Sequence, residues 1–143
     1  MRSVLGHEVV GVDSAESLGS VKHFVVSRRG DRIERLHVDG RGKHADFVAW
    51  DDLDSFGGDR VMVARSSATD TSDDPRDVDA AKGNVDVLGA RILDTAGFER
   101  GRVDDVSFDS DDGTIVAVHT TEGTTIEADA VRSFGSYALV VDR

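Results

Sequence analysis

The chain repeats itself, and an internal repeat constrains a fold more than any single motif, because each copy must be able to adopt the same unit. Val4-Leu5-Gly6 recurs as Val87-Leu88-Gly89, 83 residues later. Gly19-Ser20-Val21 recurs as Gly101-Arg102-Val103 at an offset of 82, and Ile33 and His37 match Ile115 and His119 at that same offset. The longest match aligns Val48-Ala49-Trp50-Asp51-Asp52-Leu53-Asp54-Ser55-Phe56-Gly57 with Ile126-Glu127-Ala128-Asp129-Ala130-Val131-Arg132-Ser133-Phe134-Gly135, at an offset of 78. It continues from Val61-Met62-Val63 to Leu139-Val140-Val141. Matches in one order along the chain identify a duplication. The 143 residues divide into a first unit at 1–66, a connecting segment at 67–83 and a second unit at 84–143.

Each unit reads as β. In the first, strands are expected at Val9–Val12, Val21–Val26, Ile33–Val38, Phe47–Trp50 and Val61–Val63. Ser27-Arg28-Arg29-Gly30-Asp31 has the polar, glycine-bearing composition of a hairpin turn. In the second, strands fall near Ile92-Leu93, Val103–Phe108, Ile115–Thr120, Thr125–Ala128 and Tyr137–Val141. Asp51-Asp52-Leu53 is too short for more than one helical turn. Short strands separated by Gly/Asp turns predict a small antiparallel barrel or sandwich in each unit. A unit of about sixty residues buries only about 60% of its unfolded surface and is marginal alone. Packing between the two units, or a homodimer that does the same, is therefore expected.

Charge is distributed unevenly between the copies. The first unit carries 10 basic and 11 acidic residues, the connecting segment 2 and 5, and the second unit 5 and 12, giving −11 in total. The connecting segment, with the only proline and almost no large apolar side chains, reads as a solvated acidic linker. The acidity argues against nucleic acid and anionic membrane surfaces as partners, since both need clustered Lys/Arg. The chain has no cysteine, so disulfides, thiolate metal sites and a cysteine nucleophile are excluded. Apolar runs are far shorter than the roughly twenty residues of a membrane-spanning helix. With an N-terminus lacking the apolar run of a signal peptide, the expectation is a cytoplasmic protein without membrane insertion.

The order of motifs resembles the PRC-barrel family. Its features are an apolar-Leu-Gly step, a Gly-x-Val strand start, a hairpin with an apolar return strand, and a late apolar-x-Trp/Phe-x-Asp-apolar segment followed by an apolar-Gly step. The first unit supplies Leu5-Gly6, Gly19-Ser20-Val21, Ile33–Val38, Val48-Ala49-Trp50-Asp51-Asp52-Leu53 and Phe56-Gly57. The second supplies Leu88-Gly89, Gly101-Arg102-Val103, Ile115–Thr120, Ile126–Val131 and Phe134-Gly135, with Ala128 where the first has Trp50. The resemblance implies an all-β chain of two small antiparallel PRC-type β-barrels in tandem, joined by an acidic flexible linker. It further implies a non-enzymatic adaptor or scaffold that mediates protein–protein interaction, in a cell-division, ribosome-associated or membrane-adjacent complex.

Candidate chemistry reads as surface or structure. His7, His23, His37 and His44 lie in the first unit and His119 in the second, without local metal-ligand spacing. No metal, cofactor or catalytic residue is therefore assigned. The loop Asp109-Ser110-Asp111-Asp112-Gly113 puts glycine at position five and threonine at twelve of a would-be EF-hand, so it reads as a hairpin turn. Neither a nucleophile elbow nor a phosphate loop is present. One asymmetry stands out: the first unit inserts four residues in Asp39-Gly40-Arg41-Gly42-Lys43-His44. Arg28, Arg29, Arg41, Lys43, His44 and Trp50 are accordingly the candidate face for docking an acidic protein partner, another copy's second unit included. The alternative from the sequence is a small-ligand or metal-binding module that uses a barrel mouth or the cleft between units.

Overall fold

A computed structural model describes residues 1–39, 46–57, 59–64, 69–71 and 86–143. Among them the chain is all-β, with single 3-10 turns and no α-helix. The first unit contains β1 (Glu8–Gly11), β2 (Ser17–Val26), β3 (Ile33–Asp39), β4 (Asp46–Ala49), β5 (Leu53–Phe56) and β6 (Arg60–Val63). β7 (Thr69–Thr71) completes a seven-stranded sheet in the order β5-β6-β1-β2-β3-β4-β7. The second unit contains β8 (Arg91–Asp94), β9 (Glu99–Phe108), β10 (Ile115–Thr120), β11 (Thr125–Glu127), β12 (Val131–Phe134) and β13 (Leu139–Val141). These form a six-stranded sheet in the order β11-β10-β9-β8-β13-β12.

Several positions matched by the sequence offsets have the same local structure in both units. Gly6 and Gly89 share φ = +85°, and their N–H groups donate to the carbonyls of Val21 and Val103, each at 2.8 Å. That conformation is open to glycine at little cost, which is why the Leu-Gly step is fixed in both copies. The first unit pairs Glu8 with Ser20, and the second pairs Arg91 with Arg102. Trp50–Asp52 and Ala128–Ala130 form equivalent 3-10 turns, entered from extended residues and closed by the N–H of Leu53 and of Val131.

Several expectations change. Each sheet contains one parallel pair, β1 with β6 and β8 with β13, within an otherwise antiparallel order. These partners are separated by the rest of their unit, so no short hairpin dictates direction. β5 and β12 are strands to which the sequence reading assigned none, because Asp54-Ser55 and Arg132-Ser133 interrupt the apolar pattern and both ladders slip register there. Tyr137 lies outside the last strand, which starts at Leu139. Thr69–Thr71, at the start of the segment read as linker, pairs with β4. The rest of that segment, 67–68 and 72–83, lies outside the described residues.

The two sheets share one hydrophobic core. Val9, Val21, Phe24, Ile33, Leu36, Val48, Val61 and Val63 from the first unit join Ile92, Val103, Val106, Ile115, Phe134 and Leu139 from the second. Each such side chain contributes roughly 1.5–3 kcal/mol when fully buried, and the packing between units anticipated from unit size is present as this joint cluster.

Candidate functional site

The units meet through their own repeated hairpins. The Ile33 N–H donates to the Gly113 carbonyl at 2.8 Å, and the Ile115 N–H donates to the Asp31 carbonyl at 2.9 Å. Between them Arg32 and Thr114 form an antiparallel bridge. The repeat offset of 82 carries the first bond onto the second and Arg32 onto Thr114, which is the self-complementary pattern of a two-fold dimer interface built into one chain. The turns are held locally before they dock. Ser27 Oγ donates to Asp31 Oδ1 at 2.6 Å and accepts the Asp31 N–H. At the matching position Asp109 Oδ1 accepts the Asp111 N–H at 2.9 Å, while Asp112 Oδ1 accepts that of Thr114 at 2.9 Å. The Thr114 N–H, aided by the positive charge of Arg32, holds the Asp112 carboxyl below its ordinary range. The acidic loop is thus a turn in which the carboxylates of Asp109 and Asp112 serve its own backbone.

Of the six residues proposed as a docking face, Arg28, Arg29 and Trp50 lie among the described residues. Arg28 and Arg29 are exposed at the tip of the β2–β3 hairpin. The Arg28 carbonyl accepts the Phe134 N–H at 2.7 Å, so this tip abuts the second unit. Trp50 is only 3% exposed. Its ring stacks on Phe56 at 5.0 Å between centroids and meets Phe108 of the second unit edge-on at 5.6 Å. A Cβ built on Gly113 would come within 2.9 Å of that ring. Trp50 is therefore part of the inter-unit core and not an exposed docking side chain; a large apolar ring gains most where it is dry. Arg41, Lys43 and His44 lie outside the described residues.

His23, His37 and His119 make side-chain contacts within the fold. His23 and His37 face each other across β2 and β3, with rings stacked at 5.6 Å. His23 Nδ1 lies 3.2 Å from Asp86 Oδ2, tying the first unit to the start of the second. His119 is hydrogen-bonded to Ser107 at 2.7 Å. Among the described residues no three His, Asp or Glu side chains group as a metal site.

Two hollows remain. One of about 270 Å³ lies between the units, lined by Trp50, Leu53, Asp54, Ser55, Phe56, Ser110 and Asp111. The other, about 370 Å³, belongs to the second unit and lies between the Leu88–Ala90 turn, Arg91, Arg102 and the 135–138 turn. Arg91, on β8, and Arg102, on β9, are paired across the sheet, and the Arg91 guanidinium sits 4.7 Å above the ring of Tyr137. Tyr137 is 70% exposed. None of these three residues was singled out from the sequence. The signal was present in the repeat alignment, where the first unit carries Glu8, Ser20 and Asp59 at the same positions.

The fold thus defines an all-β tandem repeat whose two units pack through a pseudo-two-fold contact. Comparison of the sequence with family models finds no match, and comparison with curated proteins finds none either. No helix among the described residues is long and apolar enough to cross a membrane.

Proposed function

We propose that this chain is a non-enzymatic cytoplasmic adaptor, built from two PRC-type barrels, that holds protein partners together. The observation that carries the reading is the backbone exchange between hairpins, Ile33 to Gly113 and Ile115 to Asp31. The unit is a module that already docks another folded module through its turn and strand start, using main-chain bonds and buried apolar side chains. The partner we assign to it is an acidic protein surface, recognised by Arg28 and Arg29 together with the Arg41–Lys43 loop.

The test is capture of partners by the tagged full chain in lysate of its source cell, at low and high salt. The expected result is a defined partner held at low salt and released by combined Arg28→Glu, Arg29→Glu, Arg41→Glu and Lys43→Glu, since exposed ion pairs are screened by salt. Capture that is unchanged by the four reversals removes the assigned surface. Absence of any specific partner removes the adaptor reading.

A second reading, a small-ligand module using the cleft between units, is favoured by the 270 Å³ hollow beside Trp50 and Phe56. A thermal-shift screen with divalent metals and small organic ligands separates the two, because a ligand specific for the native state raises its apparent stability.

A further inference from the structure

We propose that the groove of the second unit is an oxyanion-binding site, taking a carboxylate or phosphate group between the guanidinium groups of Arg91 and Arg102. This goes beyond the docking reading, since it concerns a different surface of the chain. Its volume, about 370 Å³, suits a small organic acid or the tip of an acidic side chain.

Two arginines directly paired across neighbouring strands place two positive charges on one side of the hollow. In a chain of net charge −11 such a pair runs against the prevailing charge. Both guanidiniums are held in place. Arg91 stacks on Tyr137 at 4.7 Å and has its Nε 3.3 Å from Glu99 Oε1. Arg102 Nη1 donates to the Gly89 carbonyl at 3.0 Å. A guanidinium carries five donors in a planar fork, and one tether does not exhaust them. The carboxylate that also lines the groove, Asp86, is engaged elsewhere: it accepts the Leu88 N–H at 3.1 Å and faces His23 at 3.2 Å.

The duplication supplies the control. The first unit has the same strands and turns but places Glu8, Ser20 and Asp59 where the second has Arg91, Arg102 and Tyr137. The cationic character is therefore not demanded by the fold. The second unit, though the more acidic, is the one that carries it. The remaining arginines described there with partners, Arg100 and Arg132, bond Asp94 and Asp142.

The experiment follows the ring resonances of Tyr137, the sole tyrosine, by NMR in the full chain at moderate salt. Three probes are titrated separately: inorganic phosphate, succinate and a short glutamate-rich peptide. The expected result is saturable movement of those resonances by at least one probe. Arg91→Gln with Arg102→Gln weakens that binding about tenfold or more, as loss of charge-assisted bonds requires. Arg132→Gln, away from the groove, leaves it unchanged. Response to phosphate or succinate identifies a free anion as the source, and response to the peptide alone identifies an acidic side chain. If the double variant does not fold, Arg102→Lys replaces it, keeping the charge but losing the fork, with a several-fold loss expected. No saturable response to any probe overturns the site. So does an affinity that survives the arginine substitutions, or one that falls equally with Arg132→Gln.

Discussion

Replacing Trp50 by alanine gives the first unit the residue its repeat equivalent, Ala128, already has. The backbone around both positions is the same 3-10 turn, so the substitution tests packing and not backbone conformation. Trp50 is 3% exposed and contacts the rings of Phe56 and Phe108. Burial of a large ring followed by truncation to alanine costs about 3–5 kcal/mol, and about 4 kcal/mol is the expectation here. Unfolding entropy of about 2.1 cal/mol/K per residue gives about 0.3 kcal/mol/K for a chain of this length. The melting temperature should therefore fall by about 13 °C, read by circular dichroism. Trp50 is the only tryptophan, so the wild type offers an independent check. Its emission should be blue-shifted and poorly quenched by acrylamide. An exposed residue of no structural consequence would change stability by only about 0.5 kcal/mol. A fall of less than about 3 °C, or ready quenching in the wild type, would refute the burial argument. Because Phe108 belongs to the other unit, a Phe108→Leu cycle should show positive coupling of about 0.5–1.5 kcal/mol with Trp50.

Three further outcomes follow from the same geometry. Thermal unfolding should be a single transition seen alike by tryptophan fluorescence, which reports the junction, and by circular dichroism, because both sheets share one core; two separated transitions would count against a joint core. Gly113→Ala should destabilise more than Gly89→Ala, by denaturant titration. Both have φ near +80°, a strain of about 1–2 kcal/mol for alanine, but only at Gly113 would the new Cβ lie 2.9 Å from the Ile33 carbonyl and from Trp50. Asp94, shielded from solvent, accepts N–H groups from Phe98, Ala96 and Arg100, and the Phe98 bond foremost holds its carboxyl below the ordinary 3.8. A carboxyl depressed in the folded state contributes stability above its unfolded value and loses it as pH falls through the folded one. Asp94→Asn should therefore lower stability at neutral pH and flatten its acid dependence below about pH 4, measured by urea unfolding at stepped pH.

Much of the architecture is legible in the repeat. Gly6 and Gly89, Gly19 and Gly101, and the polar residues that open both hairpin turns, Ser27 and Asp109, follow from local chemistry acting twice. β5 and β12 were not legible, because a four-residue strand with two polar members has no period to read. Tyr137 looked like strand and is an exposed turn residue, since aromatic character does not distinguish a strand from a groove lip. The arginine pair was visible only by comparing the copies position by position, as Arg91 and Arg102 are eleven residues apart and unremarkable singly.

The sequence by itself determined the all-β class, the duplication and the uneven charge, because turn residues, apolar periodicity and composition act over short stretches of chain. Only the tertiary structure decided what faces what. Trp50 looked like a surface for others and is the ring against which the second unit packs. The parallel pairs join strands roughly fifty residues apart, and the hairpins pair with their own repeats. No local pattern encodes such contacts. They are settled by how two incomplete hydrophobic faces can be buried together, and the copies could then diverge at positions the shared core does not need.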